Sequence, residues 1–217
     1  ALGGPRAKRN TSGMPRTIEV FADITCPFTH VGLKIVRAEV AALDADIDIR
    51  VRAWPLEWVN GSMADPVAIG EKSSLITEQL GIHDFDGFST QAWPSTAIPA
   101  LNLAAAGYEV DPATGLEVSL SLRSMVFEQG RDVSDPDVLL EIAAGFDLAA
   151  PGTDPVDSVT DDYEDGKRRG VRGSPDFFIG DDEFFCPSLD LGHDADGTLT
   201  SRFDDDGLRR LIATAAG

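Results

Sequence analysis

Cysteine is nearly absent from this 217-residue chain: Cys26 and Cys186 are the only two, 160 positions apart. Two thiols so placed do not build a disulfide framework, and they lack the four closely spaced N or S ligands of a structural zinc site. Positive charge is also scarce, with 18 Lys and Arg against 37 Asp and Glu. The one basic cluster lies within residues 6–16, and from residue 17 onward 14 basic groups face 37 acidic ones, a net of −23. Nucleic acid and anionic membrane surfaces are therefore poor candidate partners. No apolar run approaches the roughly 18 residues of a membrane span. The N-terminal "ALGGPRAKRNTSG" lacks the apolar h-region of a secretory signal, so a cytoplasmic chain is expected. Met14 reads as the natural start, because "MPRTIEVF" runs straight into a strand, and residues 1–16 read as a disordered tail or a vector remnant. The 42% apolar content suffices for the core of one ordinary domain.

The pattern alternates strand and helix at both ends. "TIEVFADI" is β-branched and apolar, and Leu33, Val36, Val40 and Leu43 then repeat at helical spacing. "DIDIRVRAWPLEWV" reads as a second strand, parallel to the first through a helical crossover, which makes a βαβ unit. From Ile98 to Leu148 the reading is helical, with Val118, Leu122, Met125 and Val126 on one face. Gly130 ends that helix, and the next begins with Ser134 as N-cap and Pro136 in its first turn. "DSVTDDYEDGKRRG" is a polar helix, "DFFI" and "EFFC" form a hairpin about a Gly-Asp-Asp turn, and "DDDGLRRLIATAA" is a closing helix. "GHDADG" has the look of a calcium loop, but Gly192 stands at the first ligand position and Phe203 where the bidentate Glu belongs. No metal site is expected.

The junction of the first strand and helix carries the chemistry. Cys26 stands just before Pro27, where unpaired helix N–H groups favour a thiolate, the form that attacks disulfides. Thr29 could donate its hydroxyl to that thiolate, and His30, on the same helix face, would favour it further if protonated. Trp54, Trp58 and Trp93 are read either as core or as the lining of a pocket beside this turn.

"FADITCPFTHVGLK", "FEQGRDVSDPDVLLEIAAGFDL" and "GVRGSPDFFIG" together resemble the DsbA-like branch of the thioredoxin superfamily. The FrnE-like members are the nearest in look, with 2-hydroxychromene-2-carboxylate isomerases and kappa-class glutathione transferases as neighbours. The resemblance implies an α/β thioredoxin fold with an all-helical insertion, the thioredoxin part formed by residues 17–60 and 150–217 and the insertion by 61–149. It implies that Cys26 to Thr29 faces a cis-proline loop at Ser174-Pro175. Cys26, Thr29 and His30 would be catalytic, with Pro27, Phe28, Ser174, Pro175 and Asp176 binding substrate. Redox members have a second Cys where this chain has Thr29, so dithiol exchange within one turn is excluded.

The expected activity is a monothiol disulfide oxidoreductase, in which a low-molecular-weight thiol is cosubstrate and no cofactor is bound. Its partners would be that thiol or a disulfide-containing protein or peptide, and a homodimer is compatible with the branch. A thiol-dependent transferase or isomerase and a non-catalytic binding protein are the alternatives. Cys186, opposite Pro175 in the hairpin, would lie two strand spacings from Cys26, roughly 10 Å, beyond the roughly 7 Å Cα separation a disulfide allows. It is read as structural, with a distal resolving thiol as the other reading.

Overall fold

The structure, a computed structural model, describes residues 16–43 and 45–217. The readings made for residues 1–15, Met14 included, lie outside the described residues. In β1 (Arg16–Ala22), Ile18, Val20 and Ala22 point to one face and Phe21 to the other. Helix α1 (Pro27–Ala41) buries Leu33, Val36 and Val40 against the first set, and β2 (Ile47–Ala53) returns parallel to β1 with Ile18 beside Ile49. This is the expected βαβ unit.

A helical block follows: α2 (Leu56–Asn60), α3 (Pro66–Leu80), α4 (Ile98–Val110), α5 (Pro112–Phe127) and α6 (Pro136–Gly145). Three of these helices start the same way, with Asp65, Asp111 or Asp135 accepting a backbone N–H and a proline occupying the first turn. The cap of α6 is thus Asp135 and not Ser134. The Asp135 carboxylate accepts from Asp137 N at 2.9 Å, whereas the Ser134 hydroxyl donates to Asp132 and accepts from Ser95 N. Tyr108 ties the block to the sheet: its hydroxyl accepts from Val51 N at 2.8 Å and donates to Ile49 O, covering the edge of β2.

Helix α7 (Asp157–Arg169), β3 (Asp176–Ile179) and β4 (Asp182–Phe185) complete a sheet of order β2-β1-β3-β4, with β3 antiparallel to both neighbours. The hairpin turn is two residues, Gly180 and Asp181, and Gly180 takes the positive φ such a turn needs. Helix α8 (Asp205–Ala216) lies beside α1 on one face, and α7 covers the other, where Phe21, Trp54 and Phe178 cluster against Tyr163. Trp54 is therefore core.

One pair of strands was not expected. Between β4 and α8 the chain forms β5 (Leu189–His193) and β6 (Leu199–Phe203), a separate antiparallel hairpin. "LDLGH" and "LTSRF" are too short and polar to show a clear alternation, which hides them in the sequence. The acidic string is the turn of this hairpin: Asp194 Oδ1 accepts from the N–H groups of Asp196 and Thr198. Gln79 of α3 holds β6 through Leu199 O and the Ser201 N–H and hydroxyl. Among the described residues no helix is long and apolar enough to cross a membrane.

Gly166 of α7 allows the closest approach to the sheet, since a Cβ there would stand 2.6 Å from Trp54 Cζ3 and 3.1 Å from Phe21 Cδ1. Alanine normally favours a helix by up to about 1 kcal/mol over glycine, but overpacking costs about 1–3 kcal/mol, so the clash wins. Gly166→Ala is expected to lower the thermal midpoint, as read by circular dichroism.

Candidate functional site

Strand β1 ends at Ala22, and the three residues Asp23, Ile24 and Thr25 turn the chain into α1 with Cys26 as its N-cap. Asp23 builds this turn. Its carboxylate accepts from Thr25 N at 2.7 Å and from the Thr25 hydroxyl at 2.6 Å through Oδ1, and from Leu56 N at 2.7 Å through Oδ2. Its N–H donates to Ser174 Oγ at 2.9 Å, and its carbonyl accepts from Arg123 Nη2 at 3.1 Å. Asp23 and Arg123 are wholly buried. Neither was singled out in the sequence. The available signals were an Asp-x-Thr turn at a strand end and an arginine falling between Leu122 and Val126 on an otherwise apolar helix face.

The Ser174–Pro175 peptide bond is cis. Cys26 Sγ lies 2.9 Å from Ser174 O and donates to it, and Thr29 Oγ1 pairs with Ser174 Oγ at 2.8 Å. Thr29 therefore engages the Ser174 hydroxyl, not the thiol directly. Gly32 lets Ser188 come close to α1, since an added Cβ would fall 2.9 Å from Ser188 Oγ, while Pro175 Cγ at 3.8 Å would be in ordinary contact. Pro27 is buried in the first turn, and Phe28 is the one residue of the turn that keeps substantial exposure. Beside Cys26, itself 4% exposed, Phe28 and Ser174 are partly exposed.

His30 and Asp176 do other work. His30 is 1% exposed, lies edge-on to Phe85 and tilted against Phe127, and directs Nε2 to Asp84 O at 3.1 Å and Glu128 Oε1 at 3.2 Å. Burial first, and the Lys34 ammonium second, lower its pKa to about 4, so it is neutral at pH 7 and supplies no positive charge to the thiolate. The condition on which His30 is read as favouring the thiolate, its protonation, is therefore not met at pH 7. His30, Asp84 and Glu128 also cluster closely enough to suggest a metal, but the Lys34 ammonium already occupies the two carboxylates. Asp176 is fully buried below the proline loop and accepts from Arg172 N at 2.9 Å. Burial pushes its carboxyl up to about 6.

Cys186 follows β4 and donates its N–H to Pro175 O at 3.2 Å, as the hairpin register requires. Both cysteines are free and buried. Burial, followed by Cys26, Asp176 and Asp204, pushes the Cys186 thiol well up, away from thiolate character. Of the other tryptophans, Trp58 packs edge-on against Tyr163 and Trp93 against Phe88.

A Cys-Pro helix start facing a cis-proline loop on a β2-β1-β3-β4 sheet is the arrangement on which the comparison turns. The profile of the DSBA-like thioredoxin domain matches residues 17–195. The chain belongs to this family. No curated protein matches it. Among solved structures, the cytosolic disulfide reductase DsbM from Pseudomonas aeruginosa is 19% identical, covering 91% of this chain and 97% of its own, with a TM-score of 0.56. A probable DsbA oxidoreductase from Streptomyces coelicolor is 18% identical over 92% and 89%, at 0.57. A 2-hydroxychromene-2-carboxylate isomerase is 13% identical over 78% and 88%, at 0.55. At these identities the likeness is one of fold, the DsbA-like thioredoxin fold, which these oxidoreductases share with an isomerase.

The His30 site sets a pH dependence. Its folded pKa lies below the ordinary 6.5, so between pH 6.5 and 4 the unfolded chain binds the extra proton and stability falls as pH falls. Asp176, raised toward 6, opposes this in the same window. Comparison with His30→Gln cancels that opposing contribution. The stability advantage of wild type over His30→Gln is expected to shrink by up to about 3 kcal/mol from pH 6.5 to 4, read from urea titrations.

Proposed function

We propose that this protein is a thiol-disulfide oxidoreductase acting through one cysteine, Cys26, with an external low-molecular-weight thiol completing the cycle in the cytoplasm. The observation that carries the reading is Cys26 at the N-cap of α1, its Sγ against the Ser174 carbonyl, with Thr29 where a dithiol enzyme has its second sulfur. The Cys26 thiolate attacks one sulfur of a disulfide, forming a mixed disulfide and expelling the other half as a thiolate. The thiolate of a free thiol then attacks the substrate-derived sulfur, releasing a new disulfide and restoring Cys26. One turn thus consumes one external thiol and leaves it in a mixed disulfide, and a second turn on that mixed disulfide, with a second external thiol, completes the reduction and pairs the two external thiols as a disulfide. Cys186, with ionisation disfavoured by burial, is a poor resolving thiol, which keeps the structural reading for it.

DsbM has been solved with GSH, and a tripeptide thiol of that kind suits a site whose loop offers a backbone edge beside the sulfur. The transferase or isomerase reading draws on the same groove and on the fold shared with the isomerase.

With a small mixed disulfide as substrate and reduced glutathione as cosubstrate, wild type is expected to turn over. Cys26→Ser should fall to the uncatalysed rate, and Cys186→Ser should stay within about threefold of wild type. Turnover that survives in Cys26→Ser, or that vanishes in a folded Cys186→Ser, contradicts the proposal. Conjugation of a chloronitrobenzene-type electrophile without disulfide reduction would move the assignment to the transferase reading.

A further inference from the structure

Helix α3 buries a stripe of three side chains, Ile69, Ser73 and Ile76, and the middle one is polar. Ser73 is 2% exposed, and its hydroxyl bonds no group among the described residues. A buried helical serine normally donates to the carbonyl one turn back. Its neighbour Ser74 does so, to Gly70 O at 2.9 Å, so the same helix shows the bond that Ser73 leaves unmade. Alanine would complete the stripe at no polar cost. Ser73 instead lines a groove of about 970 Å³ between α3 and residues 85–91.

This groove has a fixed wall. The connection from α3 to α4, residues 81–97, has no regular structure beyond one 3₁₀ turn at Thr90–Ala92, and so long a connection is uncommon in a compact domain unless it serves a site. Its far side is fastened: Asp84 binds Lys34, Phe85 packs edge-on to His30 and Phe127, and Gly87 passes so close to Glu128 O that no Cβ would fit. The side toward α3 stays open, with Phe85 and Phe88 as its aromatic wall.

We propose that this groove is a ligand site separate from the thiol centre and that it takes a small organic cation with an aromatic body. Its volume lies at the upper end of the range for small-molecule sites, about 300–1,000 Å³. The two phenylalanine rings receive the apolar body, and the Ser73 hydroxyl meets a polar atom of the ligand. The rim sets the sign of the charge: Glu71, Glu78 and Asp86 line the groove, and no Lys, Arg or His does. Asp86 is held by His83, whereas Glu71 and Glu78, two turns apart on α3, form no ion pair among the described residues. An anion, glutathione included, would meet these uncompensated carboxylates, which sets the groove apart from the site that a thiol cosubstrate needs.

The test is a titration of isotope-labelled protein with phenethylamine, a monocation at pH 7, read by backbone amide shifts, beside phenylpropionate and phenethyl alcohol as anionic and neutral counterparts. Saturable shifts centred on α3 and residues 85–91, in the low millimolar range or below, are expected, with the anion at least about tenfold weaker. Ser73→Ala should weaken amine binding about fivefold while raising the thermal midpoint of the free protein by about 2–4 °C, because an unmet buried hydroxyl is destabilising. Glu71→Gln combined with Glu78→Gln should weaken the amine about threefold and leave the alcohol unchanged. Cys26→Ser should bind as wild type does. Shifts that fail to saturate, that centre on the Cys26 turn, or that the anion reproduces at equal affinity overturn the inference. So does a folded Ser73→Ala that binds the amine as wild type does, or whose thermal midpoint falls, since the hydroxyl would then be a structural group.

Discussion

Asp23 is the residue through which the parts of this molecule are joined. Its carboxylate closes the strand-to-helix turn and holds the start of α2, its N–H grips the hydroxyl of Ser174, and its carbonyl receives Arg123 from the helical block. All these bonds are buried or partly buried, where an unmet polar group costs about 1–3 kcal/mol. The Cys26 turn, the proline loop and α5 are thus fixed relative to one another by one residue. A site geometry spread over segments 148 positions apart, from Cys26 to Ser174, is held by local bonds at one point.

The charge distribution follows a similar economy. The chain carries a large acidic excess, yet the few cations are spent at structural joints. Arg52 binds Glu19, Asp162 and Asp165 on the α7 face of the sheet, and Arg169 adds a second contact to Glu19. Lys34 bridges Asp84 and Glu128 beside His30. Because Arg52 and Glu19 are mostly buried, these contacts matter more than the exposed pairs on α7 and α8. The acidic surplus is left to the surface.

Much of the architecture was legible because periodicity and turn chemistry speak locally. β1, α1 and β2 follow from alternation and helical spacing, and the Gly180 hairpin places Cys186 opposite Pro175 through register alone. The β5–β6 hairpin was hidden because its strands are short, polar and supported by Gln79 from a distant helix. The same limit applies to the site. Cys26, Pro27 and Ser174 announce themselves by their dipeptides, whereas the behaviour of His30 depends on Phe85, Phe127 and Lys34, which only the fold brings near it. Asp176 looks like a ligand residue by position and turns out to be sealed beneath the loop.

The account stands on Cys26 acting without an internal partner. The most direct measurement is the intact mass of the protein after incubation with oxidised glutathione and an acid quench, followed by peptide mapping. One glutathione adduct per chain, on Cys26, with Cys186 unmodified and fully released by added thiol, is the predicted result. An internal Cys26–Cys186 disulfide with no stable adduct would contradict it, because the second sulfur would then have resolved the first.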